Sequence, residues 1–214
     1  MAGKVQYRHG RREDLPAVAE VFLAAFPESV EHYVGRPVLP LIMVDAFAIC
    51  LDTEPEGFFV AEEDGEVVGY IFGPRQFSRL YRTAIWQGHL WRMFRRWISG
   101  QYGVGVKPFL VAARNQLFVW REARSRRSVC DARIFSIAVH PDHQSRRIGT
   151  GLLEVSLNYL DGCGGGRVCL EVRADSSSAQ RLYEKFGFRV SGRSRDTRGD
   201  WLVMVRDVTG DAAK

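Results

Sequence analysis

The segment Ile137-Ala-Val-His-Pro-Asp-His-Gln-Ser-Arg-Arg-Ile-Gly-Thr-Gly-Leu-Leu-Glu154 constrains the fold more than any other stretch of this chain. It reads as a buried apolar strand that runs out at His140-Pro141, then a polar glycine-bearing loop, then a helix. The helix is marked by Leu152, Leu153, Val155, Leu157 and Leu160 at helical spacing. Such a strand–loop–helix aims unpaired backbone N–H groups and the positive end of a helix dipole at one spot, which suits a phosphate or pyrophosphate. Arg146 and Arg147 add formal charge there. The sequence contains no G-x-x-x-x-G-K-[ST], and no G-x-G-x-x-G follows its first strand, so neither a P-loop nor a Rossmann dinucleotide site is supported.

Mixed elements surround this unit. Val5-Gln-Tyr-Arg reads as a short strand. Asp14 can cap a helix whose apolar positions Leu15, Val18, Val21, Phe22 and Ala25 continue to Pro27. A second helical stretch runs from about Pro40 to Leu51. Phe58 to Glu62 and Val67 to Phe72 flank Glu63-Asp64-Gly65-Glu66, where Asp-Gly supplies the positive φ angles of a tight hairpin. Ala132 to Val139 and Val168 to Val172 read as buried strands. A helix from about Ser177 to Phe186 ends at Gly187, and strands near Phe188 to Ser191 and Trp201 to Val205 close the chain. With 214 residues, 46% of them hydrophobic, the chain can bury one full core, so a single domain over 1–214 carrying an insertion is expected.

The insertion spans about 75–128. Twelve Lys or Arg stand there against one acid, Glu122, a local +11, while the rest of the chain holds 18 cations and 24 acids, or −6. Phe77, Leu80, Tyr81, Ala84, Ile85, Trp91, Phe94 and Ile98 keep an i, i+3/i+4 rhythm among six arginines, the pattern of a basic amphipathic helix. A turn punctuated by Gly100, Gly103 and Gly105 and a less regular stretch from Lys107 to Arg127 complete it. Cys50, Cys130, Cys163 and Cys169 form no C-x-x-C pair and no zinc-ligand spacing with histidine, so reduced thiols, no disulfide framework and no metal are expected. The N-terminus lacks a signal-peptide pattern. The apolar run from Val38 to Cys50 is too short for a span and contains Asp45, so a cytoplasmic protein without a transmembrane segment is expected.

Val139-His-Pro141, Gln144 to Gly151 and, about 30 residues on, Leu182-Tyr-Glu-Lys-Phe-Gly-Phe188 together resemble the GNAT superfamily of N-acetyltransferases. That family carries a strand, a nearby proline, Q/R-x-x-G-x-G/A opening a helix, and later L-Y-E-K-x-G-F. The resemblance is strong over 132–205, extends to 5–73, and is absent from 75–128. It implies an α/β (α+β) fold, a mixed and mostly antiparallel central sheet flanked by helices, here with a basic helical insertion. It implies acetyl-CoA as acetyl-donor cosubstrate in a cleft where 132–139 and 168–172 splay apart. The pantetheine would pair with backbone along Ile137, Ala138 and Val139. The pyrophosphate would sit at Gln144 and on the N–H groups of Arg146, Arg147, Ile148, Gly149, Thr150 and Gly151. In this register the motif's first glycine is replaced by Arg147, so the backbone there must suit a non-glycine residue.

Further roles also follow from the resemblance. Tyr183 would protonate the departing thiolate, the alternative being an aromatic that merely packs with its hydroxyl at the surface. Glu171 would be the general base that takes the proton of the attacking amine, the alternative being the polar member of an apolar strand paired with an arginine. Ser176 occupies the place of a cofactor-contacting asparagine, and Ser177 or Asp175 as a plain N-cap explains the same run. His140 and His143 read as solvated loop histidines without a carboxylate partner.

The resemblance leaves the acceptor open, a primary amine on a small molecule or a peptide. The resemblance implies that the insertion lies toward the acceptor side, where as a lid its cations would favour an anionic or phosphorylated acceptor or a partner with an acidic surface. Peripheral contact with an anionic membrane through 77–98, with Trp86, Trp91 and Trp97, is a further use. So is a homodimer contact, or completion of the domain's own core with the arginines solvated. A reading from a different class is a catalytically silent GNAT-fold module whose basic segment holds nucleic acid or a membrane, with Arg147 and Ser176 marking lost cofactor binding.

Overall fold

The computed structural model describes residues 4–33, 40–103, 130, 132–164, 166–196 and 199–208. The stretch from Lys107 to Arg127 and Gly105 lie outside the described residues. The elements are β1 (Gln6–His9), α1 (Leu15–Ala25), α2 (Pro27–Tyr33), α3 (Pro40–Thr53), β2 (Phe58–Glu63), β3 (Glu66–Phe72), α4 (Arg79–Trp86), α5 (His89–Ile98), β4 (Ala132–Ile134) and β5 (Ser136–Val139). They continue with α6 (Ile148–Gly162), β6 (Arg167–Arg173), α7 (Ser177–Lys185), β7 (Arg189–Asp196) and β8 (Gly199–Asp207). The strands form two four-stranded half-sheets, β1-β2-β3-β5 and β4-β6-β8-β7. All pairings are antiparallel except β4 on β6, which is parallel. The α/β fold expected from the sequence, with helices on both sides of a mostly antiparallel sheet, is the one observed.

The strand expected over 132–139 is broken at Phe135. Phe135 N–H donates to Phe72 O at 2.9 Å while the register sets Ser136 opposite Phe72, so two residues face one, the arrangement of a β-bulge. The bulge re-aims the chain: Ala132–Ile134 pair with Val168–Leu170, and Ser136–Val139 pair with β3 instead. Beyond Ile134 and Leu170 the two half-sheets part, and the cleft opens between β5 and the rest of β6.

Both faces of β2 and β3 are covered, which explains their near-continuous hydrophobic runs. Phe58, Val60, Tyr70 and Phe72 pack with Leu15, Val18 and Phe47 of α1 and α3. Phe59, Ala61 and Ile71 face the other way, against Leu152, Leu153 and Leu157 of α6. Burying each such side chain contributes about 1.5–3 kcal/mol. The hairpin is as expected, with Asp64 at φ 51 and Gly65 at φ 86.

Several local expectations are corrected. Asp14 does not cap α1 through its side chain; its carboxylate turns back to accept from Arg11 N–H at 2.7 Å and from the Arg8 guanidinium at 2.7 and 2.8 Å. α1 ends at Ala25, just before the Pro27 expected to stop it, but a further helix not expected from the sequence, α2, starts at that proline. The N-cap of α7 is Ser176, without a side-chain cap bond, and Asp175 is held by Arg173 at 2.8 Å. Cys130 and Cys169 are joined in a disulfide with Cα atoms 6.0 Å apart, against the expectation of reduced thiols. The parallel pairing explains this, since it sets Arg133 opposite Cys169 and so leaves Cys130 within chain reach.

The single amphipathic helix expected over 77–98 is two helices, interrupted at Gly88 in the left-handed region at φ 72. Its apolar side completes the core only in part: Leu80 and Ala84 pack inward, whereas Ile85, Trp86, Leu90, Trp91 and Ile98 are exposed, Trp86 at 82%. Nor are all its arginines solvated. Asp45 of α3, 3% exposed, accepts two bonds from Arg96 at 2.8 and 2.7 Å and one from the Tyr102 hydroxyl at 2.5 Å. These bonds pin the helix pair to α3. Among the described residues no helix is long and apolar enough to cross a membrane.

His89 opens α5 and is buried. Its Nε2 lies 3.1 Å from Asp52 and its Nδ1 2.6 Å from Arg92, so the neutral tautomer protonated on Nε2 donates to the acid and accepts from the arginine. Burial first, then Arg92, hold its pKa below the ordinary histidine value against the pull of Asp52. Below about pH 6.5 the unfolded chain therefore takes up a proton that the folded protein refuses, and stability falls with pH. Thermal denaturation between about pH 7.5 and 5.5 is expected to show this loss, with a flatter slope in His89→Asn, which has no titrating ring.

Candidate functional site

The outer edge of β5 forms one wall of the cleft. His140 N–H donates to Val68 O at 2.9 Å, and two-residue steps along the register make Ala138/Tyr70 and Ser136/Phe72 the other directly bonded pairs. The N–H and C=O groups of Ile137 and Val139 consequently point away from β3 into the cleft. Ala138 spends its backbone on β3 and packs in the core cluster with Tyr70, bordering the cleft between Ile137 and Val139. The Val139 carbonyl accepts from the Gln144 side chain at 3.1 Å.

At the end of β5 the loop turns through Ser145 and Arg147, both at φ 63, and Arg147 is the N-cap of α6. Gly151 N–H closes the first turn on Arg147 O at 3.1 Å. The N–H groups of Ile148, Gly149 and Thr150 have no partner among the described residues and stand at the positive helix end. They line a cavity of about 480 Å³ that also touches Ile137, Val139 and Tyr183. Arg147 thus adopts the left-handed backbone that a glycine takes at lower cost, roughly 1–2 kcal/mol for other residues. Arg147→Gly is expected to stabilise the fold by about 0.5–1 kcal/mol after the greater freedom of the unfolded glycine is counted, read as a raised Tm.

Three of the residues singled out in the sequence make other contacts. The Arg146 guanidinium is turned out of the cavity onto Glu63, making a two-armed pair, one arm at 2.8 Å. His143 joins them, its Nδ1 2.9 Å from Glu63, so the expectation that it lacks a carboxylate partner is corrected. The hydrogen bonds from Arg146 foremost, joined by the contact with His143, hold the Glu63 carboxyl below the usual range against the opposing effect of desolvation. Gly151 packs where no side chain fits: a Cβ would stand 2.2 Å from the Tyr7 ring.

Tyr183 lies on the inner face of α7 with Ala179 and Leu182, at 7% exposure, its ring centroid 6.0 Å from that of Phe188. Burial pushes its hydroxyl pKa up to about 12, and the hydroxyl has no hydrogen-bond partner among the described residues. Tyr183 also borders a second cavity of about 340 Å³ on the other side of the cleft, lined by Glu171, Ser176, Phe135, Trp201 and Phe22. Glu171 and Tyr183 are thus brought to one cavity, with Arg133 3.6 Å from the Glu171 carboxylate. Ser176 lines this second cavity and not the first. Phe22, read in sequence as a core position of a helix, packs on the core and also forms a wall of the site, as does Phe26. Among the described residues no group of three or more His, Cys, Asp or Glu is placed to hold a metal.

The profile of the acetyltransferase (GNAT) family matches residues 15–188, most of the chain. The chain belongs to this family. A GNAT relative, the [ribosomal protein bS18]-alanine N-acetyltransferase of Escherichia coli strain K12, is 35% identical over 85 residues, 37% of this chain and 57% of that enzyme. The chain therefore matches little more than half the length of that relative. An N-alpha-acetyltransferase of Sulfurisphaera tokodaii is 28% identical over 188 residues, 85% of this chain and 78% of that protein. Among solved structures, yncA of Salmonella typhimurium, determined with its cofactor acetyl-CoA, superposes with a TM-score of 0.58 at 17% identity, covering 98% of this chain and 96% of that one. At that identity the likeness concerns the GNAT fold alone.

Proposed function

We propose that this chain is an acetyl-CoA-dependent N-acetyltransferase that passes an acetyl group to a primary amine by direct attack. The observation that carries the reading is Tyr183, a buried side chain whose hydroxyl proton has no partner among the described residues and which borders both cavities at their meeting point. The larger cavity fits a pantetheine diphosphate: an extended backbone edge at Ile137 and Val139 leads to the three unpaired N–H groups of Ile148, Gly149 and Thr150. Acetyl-CoA supplies a thioester and, as the amide forms, a departing thiol. Tyr183 holds the proton that the sulfur needs. Glu171, on the facing wall of the second cavity, takes the proton of the amine directly or through water.

The printed names of the relatives concern N-acetylation, and the bS18 enzyme acts on an alanine of a protein; a primary amine is the acceptor class carried here. The silent-module reading leans on Arg147 as a sign of lost cofactor binding. That ground is weakened, because Arg147 keeps the left-handed backbone and the neighbouring N–H groups stay free. An anionic acceptor also loses support. Among the described residues the charged side chains of the second cavity are Glu171 and Arg173, and no insertion arginine lines it. Incubation with acetyl-CoA and a panel of amines, read by mass spectrometry, tests the proposal. Acetylated amine supports it, and acetyl-CoA that stays untouched or is only hydrolysed contradicts it.

A further inference from the structure

A third cavity, of about 690 Å³, lies beside the second and is not used by the chemistry above. It is bordered by α1, α3, α4, Leu90 of α5 and the bulge at Phe135, with Phe22, Met43, Phe47, Leu80, Ala84 and Phe135 in its walls, and it is open to solvent along the edge where Tyr81, Ile85 and Leu90 are exposed. We propose that this apolar chamber receives a bulky hydrocarbon group of the acceptor, so that the amine substrate carries an aromatic or branched aliphatic part. The inference rests on the acetyltransferase reading and names its substrate class.

Four observations support it. The chamber has no charged residue among its described walls, and of its two hydroxyls Ser136 Oγ is already engaged with the Tyr70 hydroxyl at 2.8 Å while that of Tyr81 belongs to an exposed residue of the outer wall. An ionic group would find no charged partner there, whereas an apolar one leaves nothing unsatisfied. The chamber shares Phe22, Phe135 and Ser136 with the cavity that holds Glu171 and Tyr183, so it opens sideways from the place where the amine must stand. It shares no described residue with the cofactor cavity, which assigns it to the acceptor and not to the acyl chain of the donor. Its outer wall, Leu80, Tyr81, Ala84 and Ile85, comes from the insertion, and Tyr81, Ile85, Leu90 and Phe135 expose large apolar surfaces around it. Its volume falls within the roughly 300–1,000 Å³ typical of small-ligand pockets.

The test compares 2-phenylethylamine and tryptamine with ethylamine and ethanolamine as acceptors, reading kcat/KM by release of the CoA thiol. The aryl amines are expected to be favoured by at least about tenfold, the worth of small apolar contacts in a hydrophobic pocket. Ala84→Trp fills the chamber and is expected to abolish that preference through KM, while Ala84→Gly, which widens it, keeps the preference. Saturation-transfer NMR of 2-phenylethylamine with the unloaded protein gives a second readout: aryl protons saturate with the wild type and not with Ala84→Trp. Acetylation of all four amines without an aryl preference overturns the inference and leaves the acetyltransferase reading intact. A changed selectivity of Ala84→Trp among acetyl-, butyryl- and octanoyl-CoA, with amine selectivity unmoved, overturns it by assigning the chamber to the donor. Absence of acetyl-CoA binding removes both.

Discussion

Tyr183→Phe lowers kcat by about 10²- to 10⁴-fold, the range expected when a positioned general acid is lost, and leaves the affinity for acetyl-CoA unchanged. The side chain is buried, so the phenylalanine ring keeps its packing against Phe188 and the fold is untouched. Only the hydroxyl disappears. With its pKa raised to about 12 by burial, that hydroxyl stays protonated across the ordinary assay range, so loss of kcat from its ionisation appears only near pH 12. Steady-state kinetics together with equilibrium binding of acetyl-CoA check the split. A drop in kcat/KM that came entirely from weaker cofactor binding would make Tyr183 a wall of the cavity and nothing more.

The two motif glycines are expected to fail differently. Glycine to alanine inside a helix ordinarily stabilises by roughly 0.5–1 kcal/mol. At Gly151 the sign reverses, because the new Cβ stands 2.2 Å from Cζ and 2.3 Å from the hydroxyl of Tyr7, and this half-buried ring, packed against the core, must shift to make room. Overpacking of this kind costs about 1–3 kcal/mol, or roughly 2–12 °C in Tm for a domain of this size. At Gly149 the nearest atoms to a Cβ are 3.8 and 4.0 Å away, so Gly149→Ala folds normally. Its methyl instead projects at the wall of the cofactor cavity, where it weakens acetyl-CoA binding. Thermal denaturation of the two variants side by side checks this; equal Tm losses would mean that both glycines serve packing alone.

Features carried by local chemistry were legible in the sequence. The strand, loop and helix over 137–162, the Asp64-Gly65 turn, α3, and the inward placement of Tyr183 all follow from periodicity, turn residues or the resemblance they support. Features made by partners far apart in the chain were not. The break at Phe135 arises because Ile134 pairs with β6 and Ser136 with β3, and an apolar run shows no trace of that choice. Arg146 and His143 find Glu63, 83 and 80 residues away, and Cys130 finds Cys169, 39 residues on; no spacing rule announces either. Gly88 was the readable exception, since a glycine within a helical pattern signals an interruption, here one in the left-handed region. The apolar chamber belongs to the same class as the distant pairs, because its walls come from four separate segments and only packing brings Leu80 beside Phe22 and Phe135.

Isothermal titration of acetyl-CoA into the full chain is the most direct measurement to make, repeated with Tyr183→Phe and with Gly149→Ala. Saturable binding at one site, retained in Tyr183→Phe and weakened in Gly149→Ala, is the predicted result. No heat and no thermal shift with acetyl-CoA would contradict an acetyl-CoA site at Ile148, Gly149 and Thr150, and with it the proposed transfer.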